Sequence, residues 1–148
     1  MHRLILSLLL IVGSATAPTF AAGNDYRQAT MDALKRCRLT VATALYRMTQ
    51  GDNAVEALNN GNGTDGDGNW PVCVEQQTAL TKGLFASTIK GARASNAKEA
   101  LKNYHVIFLA ALQGVVPLAG EIKLDYARRQ QASDSRLTEA WARFDVEQ

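Results

Sequence analysis

The 148 residues carry 16 basic and 14 acidic side chains for a formal net charge of +2, and 47% of them are hydrophobic. A length of this order suits one domain with a real core, and the near balance of charge implies no global electrostatic partner, nucleic acid included.

The N-terminus reads as an export signal. Met1-His-Arg is a short basic start, Leu4 to Val12 is an apolar run and Ala15 to Ala22 is rich in small residues. Cleavage after Thr19-Phe20-Ala21 is expected, because Pro18 suits the position after Ala17 poorly. That assigns 1–21 to a signal peptide and leaves 148 − 21 = 127 residues, 22–148, as the mature domain. Arg3 leaves with the signal, so 16 − 1 = 15 basic residues face 14 acidic ones. No cysteine directly follows the signal, so a lipid anchor there is not expected. The mature chain is expected to be exported and soluble, periplasmic in a Gram-negative host and secreted otherwise.

From Asp25 to Gln50, Met31, Leu34, Cys37, Val41, Leu45 and Met48 recur at spacings of 3, 3, 4, 4 and 3, which predicts a long amphipathic helix ended by Gly51. Arg27, Lys35, Arg36, Arg38 and Arg47 lie mostly off that stripe. Cys37 lies within it, and an exported compartment permits its oxidation with Cys73, the other cysteine. Closing the 73 − 37 = 36-residue loop is worth roughly 4 kcal/mol in the chain-entropy model. Zinc is the rival, but two cysteines and a single mature histidine without a C-x-x-C pair make a poor ligand set.

Asp52 can cap a short helical turn, Asn53 to Leu58. The segment 59–70 then reads as a flexible loop of glycine and short polar residues with no apolar surface to bury. Within it Asp65, Asp67 and Asn69 alternate as in the first half of a calcium-binding EF-hand loop. The pattern then fails, with Trp70 where glycine is needed and Gln76 where a bidentate glutamate is needed. Asn62-Gly-Thr64 is also an N-glycosylation sequon.

Val72 to Arg93 resumes a helical pattern through Cys73, Leu80 and Leu84, with Phe85, Ile89 and Ala92 as a second seam. Gly83 and Gly91 weaken it by roughly 1 kcal/mol each, which suggests close packing or a local break. Lys82, Lys90, Arg93, Lys98 and Lys102 read as a solvated basic face. Asn96 with Glu99 has the form of a capping box that starts a helix near Ala97.

That helix carries the most apolar run of the mature chain, Tyr104-His-Val-Ile-Phe-Leu-Ala-Ala-Leu112. Leu101, Tyr104, Phe108, Ala111 or Leu112, and Val115 form its core stripe, flanked by Val106, Ile107 and Leu109. The run is interrupted by Gln113, Gly114 and Pro117 and falls short of the roughly 20 residues that span a membrane. It is read as the central helix of a bundle.

Pro117 breaks it. Leu118, Ile122, Tyr126, Leu137, Ala140, Trp141 and Phe144 continue one stripe, as one helix or as two parted at Ser133-Asp-Ser135. Asp125 with Arg129 and Glu139 with Arg143 are spaced as i, i+4 ion pairs. No strand-period segment or internal repeat occurs. The expected fold is an all-α, single-domain bundle of four to five helices with one disulfide.

Little in the chain carries chemistry. His105 could ligate haem with Met31 or Met48 as partner, but a packed histidine is the simpler reading and C-x-x-C-H is absent. No cofactor is expected. Glu121 and Asp125 share a helical face and could form an acid and base pair, against the alternative of two solvated charges. Tyr104, His105, Phe108, Tyr126, Trp141 and Phe144 could line an apolar ligand pocket, although core packing uses the same residues. There is no G-x-S-x-G or H-E-x-x-H, and no catalytic residue is assigned. Signal peptide, small helical domain and single disulfide together resemble bacterial periplasmic helical proteins, among them immunity proteins that neutralise cell-wall-degrading effectors. The resemblance rests on no diagnostic motif and assigns no residue a role. The expected function is non-enzymatic binding of a partner protein, with a ligand-binding bundle and a carboxylate hydrolase as alternatives.

Overall fold

A computed structural model describes residues 19–49, 70–118 and 121–148, with side chains described within the first stretch at 23–43 and 46. The described residues form four α-helices and no strand: α1 Thr19–Thr49, α2 Trp70–Gly91, α3 Ser95–Gln113 and α4 Lys123–Glu147. The short helix anticipated at Asn53 to Leu58, the sequon and the calcium candidates Asp65, Asp67 and Asn69 lie outside the described residues.

Contacts between helices define the topology. Cys37 meets Cys73 and Tyr26 meets Phe85, so α1 and α2 are antiparallel. Asn96 reaches Glu147, Tyr104 meets Trp141, and Arg129 reaches Gly114, so α3 and α4 are antiparallel as well. Gly23 lies beside Phe144 at one end of α1 and Arg38 pairs with Asp134 toward the other. Chain direction alternates up-down-up-down, and α1 also meets α3 directly, through Tyr26 and Thr30 against Tyr104 and His105.

One core joins all four helices. Tyr26, Leu34, Cys37 and Val41 of α1, Cys73 of α2, Leu101, Tyr104, Phe108 and Leu112 of α3, and Leu137, Trp141 and Phe144 of α4 are buried together. The expected stripe of α3 is thus the one observed, Val115 included, although Val106 is exposed. Trp141 and Phe144 dock on the bundle at 4.9 Å between ring centres, and Trp141 stands edge-on to Tyr104 at the same distance. Arg27 lies over the Trp141 ring at 5.6 Å, covering the aromatic face with a cation.

Several local expectations are corrected. Helix α1 starts before Asp25, and its interior face runs through Tyr26, Thr30, Ala33, Leu34, Cys37 and Val41, while Met31 is 43% exposed. Thr30 can hold an interior place because its hydroxyl donates to the Arg27 carbonyl and accepts the Tyr104 hydroxyl proton. Trp70 belongs to α2 rather than to the preceding loop. Helix α3 begins at Ser95 after Ala94, with no side-chain cap; Asn96 lies inside it and donates to Glu147, and Glu99 pairs with Lys102. The five basic residues of the 82–102 segment are exposed, as expected for a solvated face.

Helix α3 ends at Gln113, and Gly114 to Leu118 form the turn that Pro117 demands. Leu118 and Ile122 therefore sit in or beside that turn, exposed, and do not extend the buried stripe. Helix α4 is a single helix through Ser133-Asp-Ser135. Asp134 is used within it, accepting Thr138 Oγ1 at its carbonyl and Arg38 at its carboxylate.

Both disulfide sulfurs belong to fully buried residues, so the bridge is a structural one. Replacing Cys37 and Cys73 by alanine together should cost about 4 kcal/mol by the chain-entropy argument, a large share of a small domain's stability. Circular dichroism melts should show the helical signal retained at low temperature and the midpoint sharply lowered. An unchanged midpoint would show that the cross-link adds nothing to packing already present.

Candidate functional site

Helix α2 keeps one of its two expected seams: Phe85 and Ile89 pack, partly buried, against the core and Ala92 is buried, whereas Leu80 and Leu84 stay out of it. Its interior positions are Cys73, Thr81 and Thr88, followed by Ala92 just past its end, while Leu80 and Leu84 are 62% and 39% exposed. The disulfide turns Cys73 to α1, and Leu80 and Leu84, at i+7 and i+11, follow it onto the α1 side, while Thr81 and Thr88 lie roughly 60–80° further round, toward the core. The threonines tolerate that interior place because their hydroxyls donate to carbonyls one turn back, Thr81 to Gln77 and Thr88 to Leu84. The leucines then fall beside the α1–α2 seam on its outer side.

There they line a cleft of about 640 Å³ whose other walls are Ala29, Asp32 and Arg36 of α1 and Gln76, Gln77, Thr81 and Gly83 of α2. Asp32 is steadied by Gln28 at 3.0 Å. Leucines at i and i+4 make the apolar strip, and the rim is polar. A Cβ built at Gly83 meets nothing within 4 Å, so this glycine marks neither the close packing nor the break that its presence suggests. It leaves the cleft wall low at mid-helix.

The two ends of the cleft are held differently. At one end Arg36 and Gln76 adjoin the disulfide in sequence. At the other, Ala29 and Leu84 adjoin an aromatic cluster of Tyr26, Phe85 and His105. His105 stacks on Phe85 at 4.1 Å with 7° between planes, and the Tyr26 hydroxyl and His105 Nδ1 are hydrogen-bonded at 2.5 Å; the buried hydroxyl meets no other acceptor among the described residues, which assigns it as the donor. Accepting at Nδ1 places the proton of the neutral ring on Nε2. Burial lowers the proton affinity of His105, pushes the Tyr26 pKa well above the usual tyrosine range and raises that of Tyr104. Tyr26 is thus the residue that sequence pattern missed: it falls outside the 3- and 4-residue series counted from Met31, yet it is fully buried.

The six aromatic residues singled out from the sequence are divided. Tyr104, Phe108, Trp141 and Phe144 pack in the core. The indole Nε1 of Trp141 is buried with no hydrogen-bond partner among the described residues. His105 faces α1 and α2, and Tyr126 sits at the α3–α4 turn with its hydroxyl donating to the Val115 carbonyl at 2.7 Å.

That turn is organised by Arg129. Its guanidinium donates to both oxygens of Glu121 and to the carbonyls of Gly114 and Val116, so it satisfies the exposed end of α3 and fastens it to α4. A Cβ at Gly114 would stand 3.2 Å from the Ala110 carbonyl oxygen, a tight approach to backbone, and 3.4 Å from Arg129 Nη1. Glu121 also accepts the Leu118 N–H. The Arg129 hydrogen bonds pull its carboxyl down to about 2.

Asp125 turns to Arg128 at 3.6 Å rather than to Arg129. The two carboxylates of the anticipated acid and base pair are therefore drawn to different arginines, and Glu121 is held ionised, the opposite of what a general acid needs. A second cleft of about 390 Å³ lies alongside, between Ile107, Ala110 and Ala111 of α3 and Gln130, Ser133 and Arg136 of α4.

Among the described residues no group of three or more His, Cys, Asp or Glu could hold a metal ion. For haem, His105 Nδ1 is already engaged by Tyr26, Met31 lies on an exposed part of α1, and the Met48 side chain lies outside the described residues. No described helix is long and apolar enough to cross a membrane. No protein family, curated protein or solved structure matches this chain.

Glu121 carries an acid-stability signature. Its folded value of about 2 lies below the ordinary 4.5, so the unfolded chain binds the proton more tightly. The contribution is then full above about 4.5 and is lost as pH falls toward 2. Thermal melts from pH 6 to 2 should show Glu121→Gln flattening the acid limb relative to the unaltered protein. Parallel acid limbs would mean that the Arg129 contact does not set the turn's stability.

Proposed function

We propose that the mature chain is an exported, non-enzymatic binding protein that engages an amphipathic segment of a partner protein in the cleft between α1 and α2. The observation that carries this is the outward placement of Leu80 and Leu84 on a helix whose buried positions are Cys73, Thr81 and Thr88. Two leucines one turn apart, set in a cleft with Asp32, Arg36, Gln76 and Gln77 at its rim, match the helix-in-groove mode, in which i and i+4 apolar anchors face an apolar strip and the polar rim orients the guest. Export is supported by the N-terminal pattern and by a disulfide, which persists in oxidising compartments. Cleavage after Ala21 would leave Gly23, Tyr26 and every described buried contact of α1 in place.

The non-enzymatic reading rests on what the polar groups are already doing. Glu121 and Arg129 satisfy a helix end, Arg38 joins α1 to Gln130 and Asp134 of α4, and both cysteines are oxidised. These groups hold helices together.

Affinity capture from the native compartment, with the mature protein as bait, tests the proposal. A partner retained near stoichiometrically by the unaltered protein should be lost with Leu80→Asp and with Leu84→Asp. Leu80→Asp, at 62% exposure, should keep the melting temperature, since surface substitutions change stability by about 0.5 kcal/mol or less, and Leu84→Asp, at 39%, should cost about 1 kcal/mol and remain folded. Retention of the partner by both variants would refute the cleft as the binding surface. Gly83→Ala should raise stability by about 1 kcal/mol, because helical propensity rises and no atom stands in the way. A fall in melting temperature would contradict the open space at that position.

A further inference from the structure

We propose that the Tyr26–His105–Phe85 cluster is a pH-sensitive latch that holds one end of the α1–α2 cleft closed at neutral pH and releases it in acid. This rests on the cleft being the binding surface for its biological meaning, but the latch is a property of the fold and can be tested without a partner. The geometry is that of a three-way joint. His105 projects from α3, takes a hydrogen bond from Tyr26 of α1 and stacks on Phe85 of α2, while Tyr26 and Phe85 stand 6.0 Å apart. Tyr26 lies one turn from Ala29, and Phe85 is next to Leu84, both of which line the cleft. The opposite end is covalently fixed by Cys37–Cys73. Whatever loosens the joint therefore lets α1 and α2 part at the Ala29–Leu84 end alone.

Protonation loosens it for a specific reason. A neutral ring offers Nδ1 as the acceptor for the buried Tyr26 hydroxyl, and an imidazolium has no acceptor. Nδ1–H would then donate to the Tyr26 oxygen, and the tyrosine's own proton would be left without a partner in a fully buried position. The stack on Phe85 would offset part of this for a cation.

Tyr26 from α1 is the titratable group that meets the ring directly, and Tyr104 stands edge-on behind it at 5.9 Å. Helix α2 presents the uncharged Phe85, with Lys82 exposed one turn before it. On α3, Lys102 lies one turn before His105 and is paired with Glu99. Burial alone lowers the ring's proton affinity. With the folded value below the ordinary 6.5, the closed state is favoured above 6.5 and loses ground as pH falls through the folded value.

The test uses the mature, oxidised protein. Imidazole resonances of His105 give its titration, and amide hydrogen exchange, corrected for intrinsic rates, is followed from pH 7.5 to 4.5. Protection should fall at Tyr26–Thr30 and Leu84–Thr88 and stay constant around Cys37 and Cys73. Its limiting loss should equal the ratio of the ring's acid constants, closed over open, so the two measurements check each other. His105→Asn supplies an amide oxygen near the Nδ1 position but cannot titrate, and Tyr26→Phe with His105→Phe removes the hydrogen bond altogether. Both should abolish the pH dependence at the latch end.

An ordinary titration of the ring with unchanged exchange would overturn the latch. So would a loss of protection that persists in both variants. If the latch opens as expected while Leu80→Asp and Leu84→Asp leave partner capture intact, the cleft reading fails and the latch stands.

Discussion

The rotation of α2 about its own axis decides what this surface can do, and the Cys37–Cys73 bridge fixes one point of it, with Cys73 turned to α1. A disulfide needs its two Cα atoms close, and here they are 5.7 Å apart. Leu80 and Leu84, at i+7 and i+11 from Cys73, follow it onto the α1 side of the helix. Thr81 and Thr88, roughly 60–80° further round, face the core. Their hydroxyls are satisfied within the helix, so the interior position costs little, and the leucines that would serve a core are left at the surface.

The same physics explains which parts of the molecule could be read from the chain. The α3 stripe through Leu101, Tyr104, Phe108, Leu112 and Val115 was legible because large apolar residues at one period leave a helix no choice of face. So was the docking of Trp141 and Phe144. The disulfide was legible from cysteine count and the expected compartment. The second seam of α2, Phe85, Ile89 and Ala92, was legible too, but the inward place of Thr81 and Thr88 was not, because periodicity weighs Leu80 and Leu84 above threonine and cannot see a hydroxyl paired with a carbonyl one turn back. Thr30 and Tyr26 of α1 were hidden for a related reason: each is polar by type and buried by virtue of a partner far away in sequence, Tyr104 for one and His105 for the other. The candidate cleft was therefore illegible as a site, although every residue that lines it was in view.

Arg129 gives a second case of polar chemistry deciding structure. It sits in the middle of an apolar stripe on α4, where pattern alone would ask for leucine. Its guanidinium instead takes up the carbonyls that end α3 and the Glu121 carboxylate beyond Pro117, so a sharp turn is closed by one side chain rather than by a cap of its own. With Arg38 bridging α1 to Asp134 and Gln130, two arginines carry most of the specific polar contact to α4. Such contacts add modest stability where they are part-exposed, but they fix which faces meet.

The two ends of the α1–α2 pair are consequently unlike. One is a covalent bond in the core, insensitive to anything short of reduction. The other is a hydrogen bond from a buried phenol to a ring nitrogen that loses its acceptor role when His105 is protonated, backed by a stack on Phe85 that offsets only part of that loss. A hinge at one end and a titratable closure at the other is the arrangement in which a small chemical change produces the largest displacement of the wall between them. That wall carries Leu84 at the closure and Leu80 one turn toward the hinge, so the apolar strip is graded along the direction in which the helices are free to part.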